Sequence, residues 1–126
     1  MKVILVDDDE RFLDALQALL ETLTDVEVTG RAADGAAGAD LAAQLGPDIV
    51  VMDLDMPSLN GLEATRRIRR EVPSAQVVIL SGSDVIAHSS EALDAGAAAY
   101  VRKSRTVDDL PRVLEELRRD DEGDRS

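Results

Sequence analysis

Five short apolar runs, at residues 3–6, 26–29, 48–52, 76–80 and 98–101, recur along the chain with a stretch of helical periodicity after each. This alternation restricts the fold more than any other feature. Runs of four or five residues rich in Val, Ile or Ala have the length of strands. The first intervening stretch places Phe12, Leu13, Leu16, Leu19, Leu20 and Leu23 three and four apart, so they share one helical face. Further helices are predicted over roughly 36–45, 62–71, 84–94 and 107–119, the last with Leu110, Val113, Leu114 and Leu117 on one side. Gly46-Pro47, Pro73-Ser74 and Gly96 fall where those helices should stop, because Pro cannot continue the hydrogen-bond ladder and Gly accepts a left-handed cap. Strict strand–helix alternation argues for an α/β domain whose parallel sheet is covered on both faces, that is, a five-stranded doubly wound parallel sheet.

Size agrees with one such unit. The chain has 126 residues, of which Leu, Ile, Val and Phe supply 35, enough for a core. The domain is expected over 1–119, and 120–126, which lack an apolar residue, read as a frayed polar tail or linker stub. There is no cysteine, which excludes a disulfide framework and a thiolate metal site and fits a reducing, cytoplasmic setting. The four apolar residues before Asp7-Asp8-Asp9 are too few for a signal-peptide core or a membrane span. A net charge of −12 repels phosphate backbones and anionic lipid, so no direct nucleic-acid or membrane binding by this domain is expected.

Ligands of an open parallel sheet bind beyond the carboxyl ends of its strands, where strand order reverses. The first predicted strand ends in Asp7 and Asp8, the third in Asp53, the fourth in Ser81, and the fifth is followed by Lys103. The second ends in Thr29-Gly30. If the second strand is an edge, as in the flavodoxin-like (βα)5 order 2-1-3-4-5, the four reactive ends become neighbours. Three gathered carboxylates need a cation among them. Oxygen donors without His or Cys favour a hard ion, Mg²⁺ or Mn²⁺. Mg²⁺ and the Lys103 ammonium together neutralise the −3 of Asp7, Asp8 and Asp53, a composition suited to phosphoryl transfer. Ser81 would offer a hydroxyl to a phosphoryl oxygen. A blander reading makes Asp7 to Asp9 caps of the helix beginning near Glu10. It leaves Asp53, Ser81 and Lys103 without an explanation.

Four stretches carry a resemblance: Val-Asp-Asp-Asp-Glu at 6–10, Asp-Ile-Val-Val-Met-Asp-Leu-Asp-Met-Pro-Ser-Leu-Asn-Gly at 48–61, Val-Ile-Leu-Ser-Gly at 78–82 and Ala-Gly-Ala-Ala-Ala-Tyr-Val-Arg-Lys at 95–103. In order and spacing they resemble the response-regulator receiver domains of two-component signalling, over about residues 2–118, and most closely receivers of helix-turn-helix transcription regulators. The resemblance implies that Asp53 accepts a phosphoryl group from a sensor histidine kinase, a phosphotransfer protein or a small phosphodonor. It implies that Asp7, Asp8 and Asp53 hold the metal together with the backbone carbonyl of Asp55, and that Ser81 and Lys103 contact the phosphoryl group. Ser81 and Tyr100 would form the switch, Asp55 and Ser83 would flank the path of the hydrolytic water, and the fourth helix, fifth strand and fifth helix would be the output surface. A downstream effector or DNA-binding output domain, and a phosphorylation-dependent homodimer, are the implied partners. Such a domain is a signalling switch that catalyses its own phosphorylation and dephosphorylation rather than an enzyme.

The chain departs from the commonest family pattern in carrying Ser81 rather than Thr, and Ser104 rather than Pro after Lys103, which leaves open whether the Lys103–Ser104 peptide is cis. Pro111 implies that the last helix starts near Asp108 or kinks. His88 and the basic run Arg66, Arg67, Arg69 and Arg70 read as solvated helix residues. Asp53-Leu54-Asp55 also resembles the nucleophile motif of haloacid-dehalogenase-type phosphatases, but Pro57 stands where that motif carries Thr or Val. A receiver serving only as a protein-interaction module is a third reading, opposed by the complete acidic set with Ser81 and Lys103.

Overall fold

The computed structural model describes residues 1–54, 61–82 and 86–124, the side chains of 86–89 and 120–124 excepted. In chain order the elements are β1 (Lys2–Val6), α1 (Glu10–Glu21), β2 (Glu27–Ala32), α2 (Gly35–Leu45), β3 (Ile49–Asp53), α3 (Gly61–Glu71), β4 (Gln76–Ser81), α4 (Ile86–Asp94), β5 (Ala99–Arg102), a 3₁₀ turn (Lys103–Arg105) and α5 (Thr106–Asp124). The strands form one parallel sheet in the order β2-β1-β3-β4-β5. This is the doubly wound flavodoxin-like arrangement expected from the alternation.

Two cores sandwich the sheet because successive strand residues point to opposite faces. Ile4, Val6, Val50, Met52, Val77 and Ile79 meet Ala39 and Ala42 of α2, Ala64 and Ile68 of α3, and Ala92 of α4. Val3, Leu5, Ile49, Val51, Val78, Leu80 and Val101 meet Leu13, Leu16 and Leu20 of α1 and Leu110, Val113 and Leu114 of α5. The three central strands are buried on both sides, which is why their runs are continuously apolar. Gly46 and Gly96 end α2 and α4 with φ of +56° and +103°, the left-handed conformation that favours glycine.

Most elements fall within a residue or two of the sequence expectation, and β2 and α5 depart furthest from it. β2 spans Glu27–Ala32 rather than 26–29, and its last residue is Ala32 rather than Gly30. It is an edge strand with intermediate or exposed residues throughout; Arg31 interrupts its apolar pattern while keeping its place opposite Leu5, and Thr29 falls at a register shift between Val3 and Ile4, where it has no register partner on β1. α5 begins at Thr106, not near Asp108, and continues past Arg119 to Asp124. Pro111 lies inside it; the missing N–H would have met the carbonyl of Val107, a residue 72% exposed, so water can replace that bond. The Lys103–Ser104 peptide is trans. Among the described residues no helix is long and apolar enough to cross a membrane.

Candidate functional site

The alternation that builds the core also builds the site. Asp7 continues the register of Val3 and Leu5, and Asp53 that of Ile49 and Val51, so both carboxylates leave the sheet toward the α1–α5 side. Both are buried, at 2% and 3% exposure. Two adjacent buried carboxylates would be prohibitive alone. The 3₁₀ turn after β5 supplies the counter-charge: the Lys103 ammonium is 3.2 Å from Asp7 Oδ2 and 3.2 Å from Asp53 Oδ1. It also lies 4.7 Å from the centre of the Phe12 ring.

Burial pushes the Asp7 carboxyl up, the backbone amide of Asp9 pulls it down, Asp53 pushes it up and Lys103 pulls it down, and the sum is a raised pKa. Burial likewise disfavours the Lys103 ammonium, but Asp53 and Asp7 outweigh that effect and raise it. The ammonium is therefore charged at neutral pH.

The structure divides the labour of the three leading aspartates. Asp9 caps α1, its carboxylate accepting from the backbone N–H groups of Arg11 at 3.0 Å and Phe12 at 3.3 Å. Asp7 Oδ1 accepts from the Asp9 N–H at 2.9 Å, which fixes the Asp7 carboxylate. Capping is thus done by Asp9, and Asp7 and Asp8 remain for other work. Asp7, Asp8 and Asp53 each offer an oxygen within 4.8 Å of the others. Asp7 Oδ2 is buried and, apart from its ion-pair contact with Lys103, receives no directed hydrogen bond. An unsatisfied buried oxygen beside two more carboxylates suits a hard divalent cation, with exposed Asp8 on the solvent side. The donor set fits Mg²⁺.

Ser81 is fully buried at the end of β4 and in register with Arg102. Two positions back, Ile79 is in register with Tyr100, so Ser81 and Tyr100 emerge on the same face of the sheet, and half-buried Tyr100 packs against the α2–α3 core. Asp55 and Ser83, and the side chain of His88, lie outside the described residues. In the basic run, Arg67 ties α3 to α2 through Asp40 at 2.6 Å and pairs with Glu71 at 2.7 Å, while Arg69 donates to the carbonyls of Pro73 and Ala75. Arg66 and Arg70 are exposed.

Two residues at the site were not singled out from the sequence. Gly61 packs against the carbonyl of Asp53, and its place at the end of the motif over 48–61 was the available signal. Phe12 was counted with the apolar face of α1, and nothing in the sequence marks its ring as the neighbour of Lys103.

Comparison with known proteins agrees with this geometry. Residues 3–115 match the family model for the response regulator receiver domain. The transcriptional regulatory protein MctR of Rhizobium johnstonii is 36% identical over 91% of the chain, which spans 54% of MctR. A protein-glutamate methylesterase/protein-glutamine glutaminase of Methanospirillum hungatei is 42% identical over 82% of the chain, which spans 30% of that protein. The match thus spans about half of one curated relative and under a third of the other. A LuxR-family two-component response regulator from Aurantimonas has 34% identity and a TM-score of 0.88, covering 92% of this chain and 83% of its own. With its motifs, strand order and clustered strand-end residues in agreement, the chain belongs to the response regulator receiver domain family.

Proposed function

We propose that this chain is a phosphorylation-driven signalling switch in which Asp53 is the phosphoacceptor. The observation that carries the reading is the pairing of buried Asp53 with the Lys103 ammonium at 3.2 Å, beside a second buried carboxylate whose Oδ2 lacks a directed hydrogen bond. An oxygen of Asp53 attacks phosphorus in line, and the bond from phosphorus to the donor breaks, that donor being the phosphohistidine nitrogen of a sensor kinase or phosphotransfer protein, or the acyl oxygen of a small phosphodonor. The departing group takes the electron pair. The Asp53 side chain passes from about −1 to about −2. Lys103 is held where the added charge arrives, and Ser81 offers a hydroxyl to a phosphoryl oxygen. A Mg²⁺ ion held by Asp7, Asp8 and Asp53, with the carbonyl of Asp55 as a further donor, supplies additional charge neutralisation when bound. Water later attacks the phosphorus and returns the carboxylate and inorganic phosphate.

On this reading the protein acts in the cytoplasm as a switch rather than as a turnover enzyme. The phosphoryl group draws on Ser81, Tyr100 follows, and the α4-β5-α5 surface changes its affinity for a downstream effector, a DNA-binding output domain or a second phosphorylated copy. The test is incubation with acetyl phosphate and Mg²⁺ followed by intact mass spectrometry. One phosphoryl group should be gained by the wild-type protein and none by Asp53→Asn, whose amide is nearly isosteric. Labelling of the Asn variant, or repeated turnover of acetyl phosphate without an adduct, overturns the assignment.

A further inference from the structure

The Lys103 ammonium is held on three sides, and one of them is not a charge. Asp7 Oδ2 and Asp53 Oδ1 each lie 3.2 Å away, and the Phe12 ring centre lies 4.7 Å away. From the face of the ring we infer that Phe12 is a positioning residue for the phosphoryl-transfer site, holding the Lys103 ammonium over Asp53. This rests on the phosphoacceptor reading.

The physical case has three parts. First, a ring face within about 6 Å attracts an ammonium, more strongly once water is excluded. Lys103 retains 26% side-chain exposure, and Phe12, half-buried against the α1–α5 core, covers part of what Asp7 and Asp53 do not. Second, the ring attracts without adding a negative charge or a lone pair, so it neither increases repulsion between the carboxylates nor competes with an incoming phosphoryl oxygen for the ammonium N–H groups. A third carboxylate in that place would do both. Third, the ring is anchored independently of the reaction. Phe12 stands in the first turn of α1, its own N–H bonded to the Asp9 cap at 3.3 Å, and packs on the core containing Leu13 and Leu16. Lys103 follows β5 in a 3₁₀ turn closed by the Thr106 hydroxyl, which donates to the Lys103 carbonyl at 2.7 Å. The backbone fixes the root of a four-carbon stem, and the ring restricts where its tip can go.

The experiment has two arms. In metal-free protein without a phosphodonor, thermal unfolding of Phe12→Leu, Lys103→Met and the double variant forms a cycle. The losses should be non-additive, Phe12→Leu costing less once Lys103 is gone. In the second arm, acetyl phosphate labelling at saturating Mg²⁺ should be slowed roughly three- to tenfold in Phe12→Leu, and Phe12→Tyr, which keeps the ring face, should restore it. Additive losses in the cycle overturn the inference. So does wild-type labelling speed in Phe12→Leu, or equal slowing in Leu and Tyr variants, which marks packing alone. Should Lys103→Met not fold, the Leu–Tyr comparison decides, because it leaves the charged cluster intact. Absence of labelling in the wild type sinks the phosphoacceptor reading and this role with it, and is told apart by coupling that persists in the metal-free cycle.

Discussion

Gly61 sits against Asp53 so closely that a Cβ on Gly61 would lie 2.6 Å from the Asp53 carbonyl oxygen and 3.0 Å from Leu54 Cα. Both obstacles are backbone, so neither can rotate aside. The first residue of α3 is thereby seated on the end of the strand that presents the Asp53 carboxylate. Gly61→Ala must move one against the other, at a cost of about 1–3 kcal/mol. Gly46→Ala is the control: its φ of +56° makes alanine strained, but nothing lies within 4 Å of the added carbon and the site is remote. Both variants should melt earlier, while only Gly61→Ala should also slow acetyl phosphate labelling. Equal labelling rates in the two would show that the contact does not position Asp53.

Asp8 and Asp9 are neighbours with separable jobs, and their alanine variants should fail in opposite assays. Asp9→Ala removes the cap of α1 and should cost about 1 kcal/mol of stability with or without Mg²⁺. Asp8 is exposed, and its removal should leave the metal-free protein nearly unchanged while reducing the Mg²⁺-induced rise in melting temperature. The measurement is a pair of Mg²⁺ titrations followed by thermal unfolding. If Asp8→Ala retains the full rise, Asp8 is not a ligand.

The site was legible where chemistry and strand ends coincide. Asp7, Asp53, Ser81 and Lys103 could be read from the sequence because each terminates or follows an apolar run, and a parallel sheet gathers such ends along one edge. Phe12 could not, since an apolar residue spaced for one helix face looks the same whether its ring meets leucines or an ammonium. β2 was read short because an edge strand tolerates Thr29 and Arg31, and its pairing with β1 shifts register between Val3 and Ile4, which no local pattern records. α5 was ended early by composition, since the residues after Arg119 have no apolar stripe, yet the helix continues to Asp124.

Acid should weaken the Mg²⁺ response in a manner set by Asp7. Its folded pKa is raised above the ordinary 3.8, so the folded protein holds this proton more tightly than the unfolded chain does. Ionising Asp7 therefore costs metal-free stability, a cost absent below the unfolded value and fully present once pH has risen past the folded one. Lys103 has the opposite effect at the alkaline end. Its raised pKa contributes stability through neutral pH that is lost only as pH climbs from 10.5 through the folded value. Because Mg²⁺ requires the carboxylate, the stabilisation it gives should be large at neutral pH and fall as pH is lowered toward the ordinary carboxylate range, starting above it. Melting temperatures at fixed millimolar Mg²⁺ across that range provide the check. A Mg²⁺ increment independent of pH would exclude Asp7 as a ligand.

Ser81→Ala should separate phosphorylation from its consequence. Ser81 is fully buried, ends β4, and shares a sheet face with Tyr100 through the Ile79–Tyr100 register, so a pull on the serine hydroxyl is felt on the side where Tyr100 packs. On the proposed reading, a phosphoryl group on Asp53 would add acceptor oxygens that attract that hydroxyl, and the space it left would admit the Tyr100 ring. Removing the hydroxyl leaves Asp53 and Lys103 untouched, and with them the main chemistry of transfer. The variant should therefore still gain one phosphoryl group from acetyl phosphate, at a rate roughly ten- to a hundredfold below wild type, since one hydrogen bond to a charged group contributes roughly 1.5–3 kcal/mol. Its readout should differ. Amide exchange across 82–105, compared with and without beryllofluoride as a stable phosphoryl mimic, should change in the wild type and change much less in Ser81→Ala. A full wild-type change in a variant that still phosphorylates would mean that the signal leaves Asp53 by a route other than Ser81 and Tyr100.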